Sequence, residues 1–274
     1  MPAGIVLALG GGGARGFAHL GVLEVLAANR IPVAGMVGTS MGAVVAALVG
    51  AGTPLDYLEK LATAFPWAEL LDLNLSGLGL VGGDKILAVL ELLCKGKSFA
   101  ELTPPVWVVA TDLDRGVPVV FKEGKVAPAV RASISVPGVF APFRWEGRTL
   151  VDGGVLAGVP VDIARQMGRP VVAVDVGFEF VRRRVRHFLD VAFKVINIMG
   201  SELDRRQTAL ADLVIRPAVG HIGSAQFEAA AECLAAGRRA AEEALPSLLA
   251  LAGKTGPEFF TSLPPTTSRN VYKP

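Results

Sequence analysis

Between Ile31 and Leu55 the chain runs for 25 residues with no charged side chain. A stretch of that length either crosses a bilayer, for which about 20 apolar residues suffice, or is buried in a folded core. Its interior decides between the two. Gly35, Gly38, Thr39, Ser40, Gly42, Gly50, Gly52 and Thr53 punctuate it, and glycines at this density divide it into shorter pieces. The stretch reads as a strand over Val33–Val37, a glycine turn, and an Ala/Val-rich helix from Met41, all buried. At the N-terminus Ile5–Leu9 is apolar, but no Lys or Arg precedes it and Gly10–Gly13 follow at once, so it fails as a secretory signal. A cytoplasmic protein is expected, with peripheral attachment to a membrane left open.

Short runs rich in Val and Ile at Ile5–Leu9, Val33–Val37, Val106–Ala110, Val117–Phe121, Val171–Val176 and Leu213–Arg216 alternate with helical patterns at Ala14–Asn29, Met41–Gly50, Lys85–Leu93, Phe188–Leu210 and Ala225–Leu251. Such interleaving predicts an α/β architecture. Hydrophobic residues make up 51% of the chain, which excludes disorder. One domain over residues 1–252 is expected, followed by a flexible tail over 253–274 rich in Pro, Thr, Ser and Gly. Lys plus Arg number 27 against 25 Asp plus Glu, so no general field draws in nucleic acid, and none is expected as a partner. Cys94 and Cys233 are too few for a disulfide framework or a four-ligand zinc site, and three histidines make a poor metal centre. Neither metal nor cofactor is expected.

After the first strand comes Gly10-Gly11-Gly12-Gly13-Ala14-Arg15-Gly16, where glycines leave backbone N–H groups free to bind negative charge at a helix start. From Gly11 the segment also satisfies the dinucleotide pattern G-x-G-x-x-G. That reading needs an acid about 20 residues further on for the ribose, and none lies between Glu24 and Asp56. A turn that only packs a helix on a strand would use the same glycines.

Gly38-Thr39-Ser40-Met41-Gly42 is a G-x-S-x-G between the strand and the helix from Met41, the context of a nucleophile elbow. The turn would present the Ser40 hydroxyl at a helix N-terminus, where dipole and free N–H groups favour developing negative charge. Gly38 and Gly42 would relieve crowding around it. A serine nucleophile needs a base. Val151-Asp152-Gly153-Gly154 offers an acid in a glycine turn after a strand over Thr149–Val151, whereas His19, His187 and His221 read as packing or surface residues. Asp112 is a weaker candidate acid, and Asp175 reads as structural. A classical triad pairing Ser40 with His221 remains a rival.

With these motifs in view, the chain resembles the patatin-like phospholipases, in particular compact bacterial members that consist of the patatin domain alone. The resemblance covers about residues 4 to 220 and rests on Gly11–Gly16, Gly38–Gly42 and Asp152–Gly154 in the family's order, with the family-like stretches Ala110–Leu113 and Arg131–Gly138. Gly10 departs from plant members, which carry Asp before the glycine triplet. The resemblance implies a three-layer α/β/α domain with a mainly parallel central sheet. It further implies a lipid acyl-ester hydrolase of phospholipase A, lysophospholipase or esterase type, working through a Ser-Asp dyad without histidine. Ser40 would be the nucleophile and Asp152 the proton acceptor, with N–H groups of Gly11, Gly12 and Gly13 holding the oxyanion. Arg15, Gly16, Gly38, Gly42, Gly153 and Gly154 complete the motifs; Arg15 would orient the glycine loop or attract a phosphate headgroup, or else be a solvated or salt-bridged surface residue. An ordinary aspartate is a weak base at neutral pH, so Asp152 is expected to have its pKa raised by burial. A lipid-binding or regulatory protein on the same fold is the alternative function.

Two further segments bear on lipid contact. Arg182, Arg183, Arg184, Arg186 and His187 precede a helix bearing Phe188, Leu189, Val191, Ala192 and Phe193, a combination suited to an anionic bilayer. A solvated loop or subunit contact is the favoured reading here, with an oligomer left open. Phe65, Pro66, Trp67, Leu70, Leu71, Leu73, Leu75, Leu78 and Leu80 would form a lid or acyl-chain wall, or else ordinary core.

Overall fold

A computed structural model describes residues 4–65, 67, 79, 81–177 and 188–253. Its strands are β1 (Ile5–Leu9), β2 (Val33–Thr39), β3 (Val106–Asp112), β4 (Val117–Phe121), β5 (Phe143–Trp145), β6 (Arg148–Asp152), β7 (Val171–Val174) and β8 (Leu213–Ile215). They form one sheet in the order β5-β6-β3-β2-β1-β7-β8, with β4 paired to β3 off this path. From β3 through β2, β1 and β7 to β8 every pairing is parallel, while β4, β5 and β6 run antiparallel to their neighbours. The helices are α1 (Ala18–Ala28), α2 (Met41–Gly50), α3 (Leu55–Ala64), α4 (Asp84–Leu93), α5 (Val126–Ser133), α6 (Val161–Arg165), α7 (Phe188–Thr208), α8 (Ala230–Glu243) and α9 (Leu245–Gly253).

The apolar character of β1 follows from its central place. Ile5, Leu7 and Leu9 point into one core, with residues of α1, α2, α5 and α8, while Val6 and Ala8 point into a second core with Val161, Ile163 and Ala164 of α6. Successive side chains alternate across a sheet, so a strand covered on both faces must be apolar throughout. The uncharged stretch is likewise β2, a one-residue turn and α2, buried as expected. On the α1 side, α8 approaches closely because a Cβ at Gly21 would overlap the Leu234 carbonyl and one at Gly237 that of Ala18. Arg238 of α8 then bridges Glu24 of α1 and Glu59 of α3.

Several boundaries differ from the sequence reading. The first helix opens as a 3-10 turn, Gly13–Phe17, before α1 begins. The pattern over Ala225–Leu251 divides into a 3-10 turn, α8 and α9, with Pro246 in the first turn of α9, where its missing N–H costs nothing. α3, α5, α6 and β5 are additional elements, each short. No helix among the described residues is long and apolar enough to cross a membrane. The expected tail lies, from residue 254 onward, outside the described residues.

Candidate active site

The site is assembled on one edge of β3. β4 pairs with Val108–Asp112 along one edge, so β2 and β6, which overlap it in register, must share the other. β2 runs parallel to β3 and ends with Thr39 opposite Val109; β6 runs antiparallel and ends with Asp152 opposite Ala110. Two strand ends 113 residues apart in sequence therefore meet on adjacent rungs of one strand.

At the first of these ends the backbone reverses at Ser40, whose φ of 54° and ψ of −123° lie outside the regions that non-glycine residues normally occupy. α2 starts at the next residue, so Ser40 stands at its N-terminus. The turn closes only because its flanking glycines lack Cβ atoms. One at Gly42 would overlap the Leu9 carbonyl, and one at Gly38 would lie 2.5 Å from the Ala43 Cα. Gly16 meets the Met41 side chain in the same manner. A second serine fixes the turn: Ser133 Oγ accepts the Ser40 N–H at 2.8 Å and donates to the Val109 carbonyl at 2.6 Å.

At the second end, Asp152 is 5% exposed, and its Oδ1 accepts the Gly154 N–H at 2.7 Å. Gly153 packs its Cα against the Val109 carbonyl, where a side chain would not fit. Burial pushes the Asp152 carboxyl up to about 6, against the opposing pull of the Ser40 hydroxyl and the Gly154 N–H. Oδ2 is buried and has no hydrogen-bond partner of good geometry among the described residues. The Ser40 hydroxyl stands close enough to the carboxyl to act on it as a hydrogen-bond donor.

The glycine loop is held by its carbonyls. His19 donates from Nε2 to the Gly10 carbonyl at 2.8 Å, and Arg15 donates from Nε to the Gly12 carbonyl at 3.3 Å and from Nη1 to Gly177 at 3.2 Å. In a trans peptide the N–H points opposite to the carbonyl. Fixing the Gly12 carbonyl on Arg15 therefore aims the Gly13 N–H away from that guanidinium. The N–H groups of Gly12 and Gly13 have no acceptor among the described residues. Gly11 corrects the sequence reading, because its N–H donates to the Gly158 carbonyl at 2.9 Å and is not available to an oxyanion. Gly13, at φ 59°, also abuts the Ser224 carbonyl, so no side chain is accommodated there. Arg15 is 3% exposed, and burial lowers its pKa; its contacts are those of a loop-orienting group.

A model of the patatin-like phospholipase family matches residues 7–165, which contain the glycine loop, Ser40, Ser133 and Asp152. The chain belongs to the patatin-like phospholipase family. It is 40% identical over 159 residues to an uncharacterized NTE family protein of Mycobacterium bovis, a match covering 57% of this chain and 44% of that protein. It is 34% identical over 184 residues to patatin-like phospholipase domain-containing protein 7 of Mus musculus, covering 63% of this chain and 14% of that one. The chain thus spans less than half the length of either relative. The crystal structure of VipD from Legionella pneumophila shares the fold, with a TM-score of 0.63 at 16% identity over 90% of this chain and 67% of that one. The three-layer, mainly parallel patatin fold is therefore that of this chain.

In this member of the family the other candidate groups are engaged elsewhere. Asp112 accepts the N–H groups of Asp114 and Arg115, both at 3.1 Å, and closes the β3–β4 turn. Asp175 accepts the Gly177 N–H at 2.9 Å and pairs with Arg216 at 3.3 Å. His221 lies at the surface beside Glu232, at 2.7 Å. His19 is fully buried, and desolvation lowers its pKa to about 4, so it is neutral at working pH. His187 and the arginines beside it lie outside the described residues, as does most of the segment from Phe65 to Leu80; Trp67 stacks on Phe227 and packs against Phe17.

Two supporting residues were not singled out from sequence. Ser133 sits inside the family-like stretch Arg131–Gly138, a signal that pointed to it without naming its bond. Asp204 of α7 accepts the Val159 N–H at 2.9 Å and covers Gly158, whose carbonyl holds Gly11. Nothing in the charged end of α7 distinguishes it in sequence.

Proposed function

We propose that the chain is a serine acyl-ester hydrolase of lipids, a carboxylic ester hydrolase with Ser40 as nucleophile and Asp152 as proton acceptor. The observation that carries this reading is the convergence of Ser40 and Asp152 on one edge of β3, with the Asp152 carboxyl buried and within reach of the Ser40 hydroxyl. As Ser40 Oγ attacks the ester carbonyl carbon, Asp152 takes its proton, and the carbonyl oxygen becomes an oxyanion facing the free N–H groups of Gly12 and Gly13. Collapse breaks the ester C–O bond, and the alcohol leaves with the proton from Asp152. Water then attacks the acyl-enzyme, Asp152 takes its proton, and that proton returns to Ser40 as the carboxylic acid departs. Raising the Asp152 pKa to about 6 makes the carboxylate a stronger base while leaving it ionised at neutral pH.

Beside Ser40, Met41 joins Phe17, Leu20, Val44, Leu58 and Trp67 in lining an apolar crevice of about 30 Å³ between α1, α2 and α3. The experiment is reaction with a fluorophosphonate probe followed by peptide mass spectrometry. An adduct on Ser40 that disappears in Asp152→Asn supports the dyad. A folded protein that forms no adduct favours the lipid-binding or regulatory reading instead.

A further inference from the structure

We infer that Arg131 is a positioning residue for the dyad, acting through Ser135 to hold Asp152 in place against Ser40. The inference rests on the hydrolase reading, because it gives Arg131 a part in that reaction. Ser135 is the residue that reaches the candidate base: its carbonyl accepts the Asp152 N–H at 2.9 Å. β5 begins at Phe143, opposite Leu150, so β6 runs on to Asp152 past its partner strand, and the Ser135 carbonyl takes an N–H beyond the reach of β5. The Ser40 N–H bonds Ser133. Both members of the dyad are thus hung on the C-terminal end of α5, one from a side chain and the other from a carbonyl two residues further on.

Ser135 lies just past the last helical residue, where a chain frays unless something holds it. Arg131 holds it. Its Nη1 donates to Ser135 Oγ at 2.6 Å, and that hydroxyl donates in turn to the Arg131 carbonyl at 2.9 Å. The same guanidinium donates from Nε to the Gly83 carbonyl at 3.1 Å and from Nη2 to the Gly82 carbonyl at 2.5 Å. Its central carbon lies 5.2 Å from the Phe140 ring centre and 5.4 Å from that of Phe143, the first residue of β5. A Cβ at Gly83 would overlap it.

A buried planar group fixed in this way leaves Ser135 one orientation, and with it one direction for the carbonyl that meets Asp152. Only arginine suits the place. Its fork spans Ser135, Gly82 and Gly83 at once, whereas the point charge of a lysine at the end of a flexible stem does not. The segment it pins is itself tied to the loop after α5, because the Val81 N–H donates to the Val139 carbonyl and the Ala141 N–H to the Val81 carbonyl, both at 2.9 Å.

The test measures kcat, KM and the pH–rate profile of the full chain on a soluble ester for wild type, Arg131→Lys, Ser135→Ala and the double variant, with a thermal melt to establish folding. Each single change should lower kcat by about tenfold or more and leave KM within about twofold, because neither side chain is exposed to bind substrate. The double variant should fall no more than about threefold below the slower single one, since both changes break one link. Burial is what raises the Asp152 pKa, so a loosened carboxyl that meets water should move the acidic limb down by about half a pH unit or more. Lost packing alone would lower the melting temperature and leave the limb in place. Should Arg131→Lys not fold, Ser135→Ala, which keeps the guanidinium and removes one acceptor, carries the test. A folded Ser135→Ala with wild-type kcat and limb overturns the inference while leaving Asp152-dependent labelling of Ser40, and so the hydrolase reading, intact. Full activity in Asp152→Asn, or a wild type that neither turns over the ester nor labels at Ser40, overturns the hydrolase reading, and the inference falls with it.

Discussion

Ser133 Oγ accepts the backbone N–H of Ser40 at 2.8 Å, joining the last residue of α5 to the strained turn between β2 and α2. The same hydroxyl donates to the Val109 carbonyl of β3, so one side chain satisfies two buried backbone groups around the elbow. Ser133→Ala leaves both unsatisfied, at a cost of about 1–3 kcal/mol in stability. With the elbow less firmly held, kcat should fall by about 10- to 100-fold. Urea denaturation and steady-state hydrolysis of a soluble ester measure the two effects; kcat equal to wild type would remove Ser133 from the positioning role.

The raised pKa of Asp152 has opposite consequences for rate and for stability. Only the ionised carboxylate accepts a proton, so the hydrolysis rate should rise through pH about 6 and level off above it. Between the ordinary value of 3.8 and about 6 the folded chain holds a proton that the unfolded chain has released, so stability falls as pH rises across that window and stays lower beyond it. Asp152→Asn should therefore abolish activity yet stabilise the fold at about pH 8, by up to about 3 kcal/mol, with little gain at about pH 4. Denaturation curves at both pH values read this directly, and an Asn variant less stable than wild type at the higher pH would contradict it.

Gly42 is constrained by the end of β1 rather than by its own backbone angles. An added methyl would overlap the Leu9 carbonyl, and neither β1 nor α2 has room to retreat, because both are packed into the core on which the sheet rests. Gly42→Ala should cost about 3 kcal/mol and lower Ser40 labelling in whatever protein remains folded. Gly52, just past α2 with open space around it but at φ 81°, is the comparison site where a substitution carries backbone strain alone, about 1–2 kcal/mol.

His221 and Glu232 form an exposed pair, with side chains 63% and 57% accessible. Such a pair contributes at most about 1 kcal/mol, and both residues have each other rather than the dyad as partner. His221→Ala should leave ester hydrolysis within about twofold of wild type, and a large loss in the pH–rate profile of that variant would restore the triad reading.

Local pattern was enough for the α/β class and for the buried strand–turn–helix over the uncharged stretch; it offered Ser40 and Asp152 as groups to pair while leaving Asp112 and His221 open beside them. These rest on residue type and short spacing: glycines around a serine, a strand before an acid, apolar runs of strand length. The bond from Ser133 and the bridge from Asp204 through Val159 and Gly158 to Gly11 join residues far apart in sequence, and no local pattern encodes them. The Gly11 N–H looked free by the same logic that applied to Gly12 and Gly13, and only the approach of the Gly158 carbonyl removed it from the set of donors. The meeting of Ser40 with Asp152 has the same origin. Sequence supplied the two ends, whereas the register of β2 and β6 along a shared edge of β3 brought them together, because pairing across a sheet depends on which strands become neighbours and not on the residues between them.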